Sequence, residues 1–226
     1  MLDINTVFGM TASSLDDLFR QRRLWKGGGG SAVGRGIPTG FAALDKLLPF
    51  GGWPRGAVME IVVSDWGIGE LSLFLPLMAH STRGGRYVTW VAPPHTPYPP
   101  ALVAGNLDLN FCRVLSNPDS SKRESSSRIG DRQILWCAEK LLQSSACGLV
   151  LAWPRTLSDR AVRRLQLAVE GSEALCILWR KADQERAWDG SPATMRLKLA
   201  RTVEGLELEI TKVRGVCRCP HLVLDI

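Results

Sequence analysis

The stretch between residues 36 and 77 constrains this chain most. It runs from a short segment with helical apolar spacing (Leu44, Leu47, Leu48), closed by Pro49 and the Gly51-Gly52 pair, into an apolar strand over 58–63. The glycine loop Gly67-Ile-Gly-Glu-Leu71 follows, and then an apolar run to Leu77. Strand, glycine loop and helix in that order present a phosphate-binding loop in nucleotide-binding α/β proteins. A working loop reads G-x-x-x-x-G-K-[ST]. Its glycines let backbone N–H groups curl around phosphate, its lysine neutralises the terminal phosphates, and its hydroxyl holds Mg²⁺. Here Glu70 follows Gly69 and Leu71 takes the hydroxyl position, while Ser72 stands one place late. A carboxylate beside a triphosphate reverses the sign of an interaction worth about 4 kcal/mol at roughly 4 Å and an effective dielectric near 20. The expectation is a loop that keeps its geometry and loses its chemistry.

The remaining pattern alternates. Apolar strands are predicted over 87–92, 111–115, 149–153 and 174–179. Between them fall helices over 71–80, 101–105, 132–144 (capped by Asp131) and one capped by Ser158. That last helix turns Ala161, Val162, Leu165, Ala168 and Val169 inward and Arg160, Arg163 and Arg164 outward. Residues 195–201 and 206–213 alternate around Glu204-Gly205, a hairpin signal. The fold class expected is α/β, a mostly parallel sheet flanked by helices with an antiparallel hairpin near its C-terminal end. The polar, serine-rich stretch 117–127 reads as a loop. Residues 93–100, rich in proline, read as an extended segment serving either to dock a partner or to cover the cleft.

Four consecutive glycines divide the chain. Before them, Ser13 or Ser14 can cap a helix over 15–25 with Leu15, Leu18, Phe19 and Trp25 as apolar anchors, acids in its first turn and arginines at its end. The organisation expected is an amphipathic helix for assembly or partner contact (1–26), a glycine-rich linker (27–36), a core with a degenerate nucleotide site (37–214) and a tail (215–226).

Composition narrows the classes. No apolar run approaches the 18 or so residues of a membrane span, and the first residues lack the basic and apolar regions of a signal peptide, so a cytoplasmic location is expected. The net charge is +6, of which residues 111–226 carry +5; a basic half is compatible with nucleic acid or an acidic protein partner. Four of the six cysteines lie in or beside apolar runs and behave as small hydrophobes. Cys217-Arg-Cys-Pro-His221 is half of a zinc-type cluster without a second half, so neither a metal nor any other cofactor is expected.

From residue 37 onward the chain resembles the core of the bacterial RecA recombinases. The resemblance lies in Ile37-Pro-Thr-Gly-Phe-Ala-Ala-Leu-Asp-Lys-Leu-Leu48, Gly51-Gly-Trp-Pro-Arg-Gly56 and Glu60-Ile61. With Leu24-Trp-Lys-Gly27, Gly67-Ile-Gly-Glu-Leu71 and Thr89-Trp-Val-Ala-Pro-Pro-His-Thr-Pro-Tyr98 it is most similar to the ImuA family, RecA-like accessory proteins of mutagenic translesion synthesis. It is more distantly similar to the SulA division inhibitors. The recombinase resemblance implies a RecA-like, P-loop-type fold. It puts the general-base glutamate at 92–95, which reads Ala-Pro-Pro-His, and the Walker B acid at Trp153. Hydrolysis needs charge neutralisation, a metal clamp and an oriented water, so no ATPase activity is expected.

The same resemblance places single-stranded DNA contacts on the loops after the fourth and fifth strands. Arg180, Lys181, Arg186 and Trp188 become candidates for phosphate contact and base stacking, with the arginine-bearing helix (Arg160, Arg163, Arg164) as a second basic surface. The ImuA resemblance implies a non-catalytic role in SOS-induced translesion DNA synthesis. The implied partners are an inactive ImuB-type Y-family polymerase homologue, an error-prone replicative-type polymerase subunit and RecA. The N-terminal helix would mediate contact with a second copy of the chain, giving a homo-oligomer, or with a true recombinase. The alternatives are a SulA-like protein that binds FtsZ and an atypical RecA-type ATPase.

Overall fold

The computed structural model describes residues 36–116, 127–182, 191–213 and 220–226. The chain divides into two units, 1–34 and 35–226. The expected N-terminal helix with Leu15, Leu18, Phe19 and Trp25, nearly all of the glycine linker, most of the serine-rich loop, Arg186, Trp188, Cys217 and Cys219 lie outside the described residues.

Among the described residues eight strands form one sheet in the order β3-β2-β4-β5-β1-β6-β7-β8. They are β1 (Ala57–Val63), β2 (Tyr87–Val91), β3 (Cys112–Leu115), β4 (Cys147–Ala152), β5 (Leu175–Lys181), β6 (Met195–Arg201), β7 (Leu206–Val213) and β8 (His221–Leu224). β3 through β6 are parallel in spatial sequence, and β7 and β8 close the sheet in antiparallel register. The hairpin expected around Glu204-Gly205 is β6–β7, with Arg201 opposite Leu206. β8 adds a strand from the apolar end of the tail.

Every residue of β1 and β4 is buried, because a parallel strand covered on both faces has no solvent side. Alternation still sorts the side chains. Met59, Ile61 and Val63 join one core layer with Leu149, Leu151, Ile177 and Trp179, whereas Val58 joins the other with Val150, Cys176 and Leu178. The first layer packs under α1 (Ala42–Leu47) and α2 (Leu75–Arg83); the second packs under α4 (Ser127–Leu142) and α5 (Asp159–Val169). A further short helix, α3 (Pro99–Ala104), follows the proline segment. Its first two residues are prolines, whose missing N–H groups belong where the helix has no internal acceptor.

Three expectations are corrected. The helix after the glycine loop does not start at 71. A 3₁₀ turn (Ser72–Phe74) intervenes, and α2 starts at Leu75 with Pro76 in its first turn. A helix begun at 71 would need the amide hydrogen that Pro76 lacks. Asp131 does not cap a helix. It lies inside α4, which extends back to Ser127, and its carboxylate accepts hydrogen bonds from Arg155 N (2.8 Å), Thr156 N (2.9 Å) and Thr156 Oγ1 (2.6 Å). It thereby fastens the turn after β4. Leu47 is exposed, while Leu44 in α1 and Leu48 just after it are buried.

Ahead of β1, Ile37 and Trp53 form an antiparallel bridge. Gly52 permits it, since a Cβ there would fall 2.3 Å from the Ile37 carbonyl oxygen. Among the described residues no helix is long and apolar enough to cross a membrane.

Candidate functional site

β1 delivers the chain to the sheet edge where β4 and β5 also end, the place where ligands bind open α/β sheets. Ser64 N closes the ladder on Leu199 O at 3.2 Å, and the loop starts at Asp65. Asp65 accepts from Trp66 N (2.8 Å) and pairs with Lys181 Nζ (2.7 Å) at the end of β5. The hydrogen bond from Lys181, then that from Trp66, holds the Asp65 carboxyl below its ordinary range. Gly67 and Gly69 take φ of +81° and +91°, the left-handed region that glycine enters without a Cβ penalty. Ser72 N then returns to Gly69 O at 3.0 Å and starts the 3₁₀ turn. The expected loop geometry is present.

Its interior is occupied by the protein itself. Glu70 is 8% exposed, and its Oε1 accepts from Gly67 N at 3.3 Å. A backbone N–H of the type that cradles phosphate is thus turned onto a carboxylate of the same loop. On the neighbouring strand end, Arg201 Nη1 donates to Ile226 O at 2.6 Å and stands 3.6 Å from where a Cβ on Gly69 would be.

Beneath the loop lies an aromatic ladder. Trp53 stacks on Phe74 (centroids 5.0 Å), Phe74 meets Trp179 edge-on (5.5 Å), and Trp179 stacks on Trp153 (5.7 Å, planes 5° apart). Trp153 directly follows β4, so an indole stands where the resemblance placed a metal-binding acid. Each such pair contributes about 0.5–1.5 kcal/mol beyond the area it buries. The segment that would hold a general base opens with Ala92 at φ +53°, held by Ala92 N to Leu115 O at 2.7 Å. It continues exposed through Pro94, His95 and Thr96. Tyr98, beyond it, is also exposed.

The candidate nucleic-acid residues fall in three places. Arg180 is buried in β5, on the sheet face of Val62, so its guanidinium is not presented to solvent as a surface contact needs. Lys181 is half-buried and carries the ion pair to Asp65. Arg160, Arg163 and Arg164 are exposed along α5, whose Ser158 Oγ caps the helix by accepting from Ala161 N (3.3 Å). Arg164 pairs with Glu139 of α4.

Two features escaped the sequence. Glu60, fully buried in β1, accepts from Arg196 Nε (3.0 Å) and Nη2 (2.9 Å) and from Ser191 Oγ. Pairing across 136 positions leaves no local signature. Trp136, 56% exposed on α4, did leave one: it falls off the stripe of Ile134, Ala138 and Leu142 that faces the core. Among the described residues no group of three His, Cys, Asp or Glu could hold a metal ion, and His221 instead pairs with Glu207 at 2.6 Å.

The chain is similar to RecA proteins. It is 31% identical to that of Acholeplasma laidlawii over 115 residues and 33% identical to that of a Nocardioides species over 116, each match covering 51% of this chain. With the RecA of Chlorobium limicola it is 26% identical over 223 residues, covering 92% of the chain. These matches span 31%, 29% and 63% of the relatives' own lengths, so the chain corresponds to less than two thirds of each. No family model matches it. The fold is RecA-like, and the protein is a distant relative of the RecA recombinases.

Proposed function

We propose that this protein is a non-catalytic RecA-like accessory factor in DNA-damage-induced translesion synthesis, acting through its surfaces to scaffold or regulate a polymerase complex. The observation that carries the reading is the joint state of the nucleotide cleft. Glu70 occupies the loop, Trp153 is stacked into the core at the metal-acid position, and 92–95 holds no acid. Phosphoryl transfer is almost entirely positioning and charge stabilisation, and each of the groups that would supply them is replaced.

The ImuA resemblance supplies the pathway and the partners: an ImuB-type polymerase homologue, an error-prone replicative-type polymerase subunit, RecA and single-stranded DNA. Open surfaces support a role in assembly. Among the described residues β3 ends the sheet, and Val114 and Leu115 on it, with Val103 and Leu109 nearby in sequence, are exposed. An unpaired strand edge with apolar side chains is a template for another chain.

The test has two arms. Purified protein with Mg²⁺-ATP, with and without single-stranded DNA, should show no turnover above a heat-inactivated control. Co-purification with the ImuB-type homologue should yield a complex. Turnover that Glu70→Ala abolishes would overturn the non-catalytic reading, and absence of any complex with the polymerase homologue would overturn the scaffold.

A further inference from the structure

The groove between α4 and α5, about 420 Å³ in volume, carries a recess and a matching projection on one face. The recess is apolar with an acid in it. Leu157 and Leu165 are buried there, and Leu135 and Ala161 are half-buried. Glu139 lies among them with its side chain only 18% exposed, and its Oε2 accepts from Arg164. A carboxylate accepts on both oxygens, so Oε1 can take a second guanidinium. Asp131, also lining the groove, is buried and spends both oxygens on the Arg155–Thr156 turn.

The projecting groups are of the opposite kind. Trp136 stands 56% exposed at the groove and Arg132 is exposed one helical turn before it. Among the described residues no carboxylate pairs with Arg132. Tryptophan and arginine are the side chains that most often anchor protein contacts. The lining as a whole holds two acids and two bases, so no strongly charged partner of either sign is selected. What the recess lacks is an apolar body with a cation one turn away, and that is what Trp136 and Arg132 present.

Spacing along α4 fits the two halves together. Arg132, Trp136 and Glu139 fall at i, i+4 and i+7, on one stripe of the helix. Arg132 is about 6 Å along the axis from Trp136 on one side, and Glu139 about 4.5 Å on the other. With two copies antiparallel about a two-fold axis beside Trp136, Arg132 of each copy reaches Glu139 of the other. Each indole then enters the other copy's groove. A parallel pairing would set Arg132 against Arg132. Self-complementarity of this sort is what a two-fold interface requires. We infer that the α4–α5 groove docks a second copy of this chain, with Trp136 and Arg132 exchanged between the two grooves. The inference goes beyond the scaffold reading and does not rest on it.

The test is sedimentation velocity of the full chain across roughly 1–100 μM, which brackets a micromolar dissociation constant. Wild type should show a concentration-dependent monomer–dimer equilibrium. Trp136→Ala should weaken it about tenfold or more, the scale of an interface anchor, while Trp136→Phe keeps most of it. Arg132→Glu should weaken it too, by setting a carboxylate against Glu139 of the other copy. Both positions are exposed, and circular dichroism checks that the variants fold. A wild type that stays monomeric throughout overturns the proposal. So does association that Trp136→Ala leaves unchanged, which assigns assembly to another surface, and dimerisation indifferent to Arg132→Glu, which removes the antiparallel pairing. A monomer that binds a labelled oligothymidylate through Trp136 also overturns it, by making the groove a nucleic-acid site. None of these outcomes touches nucleotide turnover or the polymerase complex, so the wider reading fails or stands separately.

Discussion

The indole of Trp153 lies flat on that of Trp179, ring centroids 5.7 Å apart and planes 5° apart. This contact joins the ends of β4 and β5, and it packs an indole at the position to which the recombinase resemblance assigns a metal-binding acid. Trp179 passes the contact on to Phe74, the last residue of the 3₁₀ turn behind the glycine loop. Loop and strand ends are therefore held by the same aromatic column.

That column makes the site costly to reverse. Trp153→Ala should lower unfolding stability by about 3–5 kcal/mol, the range for removing a large aromatic from a core, measured by urea denaturation. Trp153→Asp should cost at least as much, since the carboxylate would be placed against a buried indole. A Trp153→Asp protein as stable as the wild type would show that the stack contributes little.

Restoring the loop cation alone should not restore activity. Glu70→Lys places an ammonium in the loop but supplies neither the metal-binding acid nor a base. Expected are no ATP turnover and, by isothermal titration, tighter binding of pyrophosphate than for the wild type. Equal affinity in the two proteins would mean that Glu70 is not what keeps anions out.

The buried Glu60–Arg196 pair predicts an asymmetry. Arg196→Leu leaves Glu60 as an uncompensated buried charge and should cost about 3–5 kcal/mol. Replacing both partners, Glu60→Leu with Arg196→Leu, should recover much of that loss, because the desolvation of two ions disappears with them. A double variant as unstable as the sum of the two singles would assign the pair a positive role of its own.

Burial pushes the thiol pKa of Cys147 upward and that of Cys176 far upward. A raised pKa means less thiolate at a given pH, and thiolate is the nucleophile. At pH 8 neither residue should be alkylated in the folded protein, and both should be after denaturation, read by peptide mass spectrometry. Rapid modification of native Cys176 would contradict the packing of β5.

Asp65 carries a pH dependence of known sign. Its folded pKa is depressed, chiefly by the hydrogen bond from Lys181. The contribution is present above the ordinary carboxylate range and is lost as pH falls through the folded value. Carboxyl-carbon NMR should show Asp65 titrating below a free aspartate, and Lys181→Ala should return it toward the ordinary value.

Much of this was readable from local pattern. Apolar runs, Gly51-Gly52 and the Gly67–Gly69 loop placed the strands and turns, since backbone sterics and periodicity act over a few residues. The helix after the loop was misplaced because apolar content outweighed a single proline. Asp131 was read as a cap because a local rule fits any acid before a helix, whereas its partners lie 24 and 25 residues away. Arg180 looked like a surface cation because a charge at a strand end is usually solvated; here it is buried in β5 on the sheet face of Val62.

The sequence by itself determined the class of fold, and it put Glu70 and Leu71 where a phosphate loop carries a lysine and a hydroxyl. Only the tertiary structure decided what took their place. Trp153 on Trp179 and Glu60 on Arg196 are contacts between elements, and Glu70 turns inward within its own loop. The energies that fix them depend on which side chains the sheet brings together.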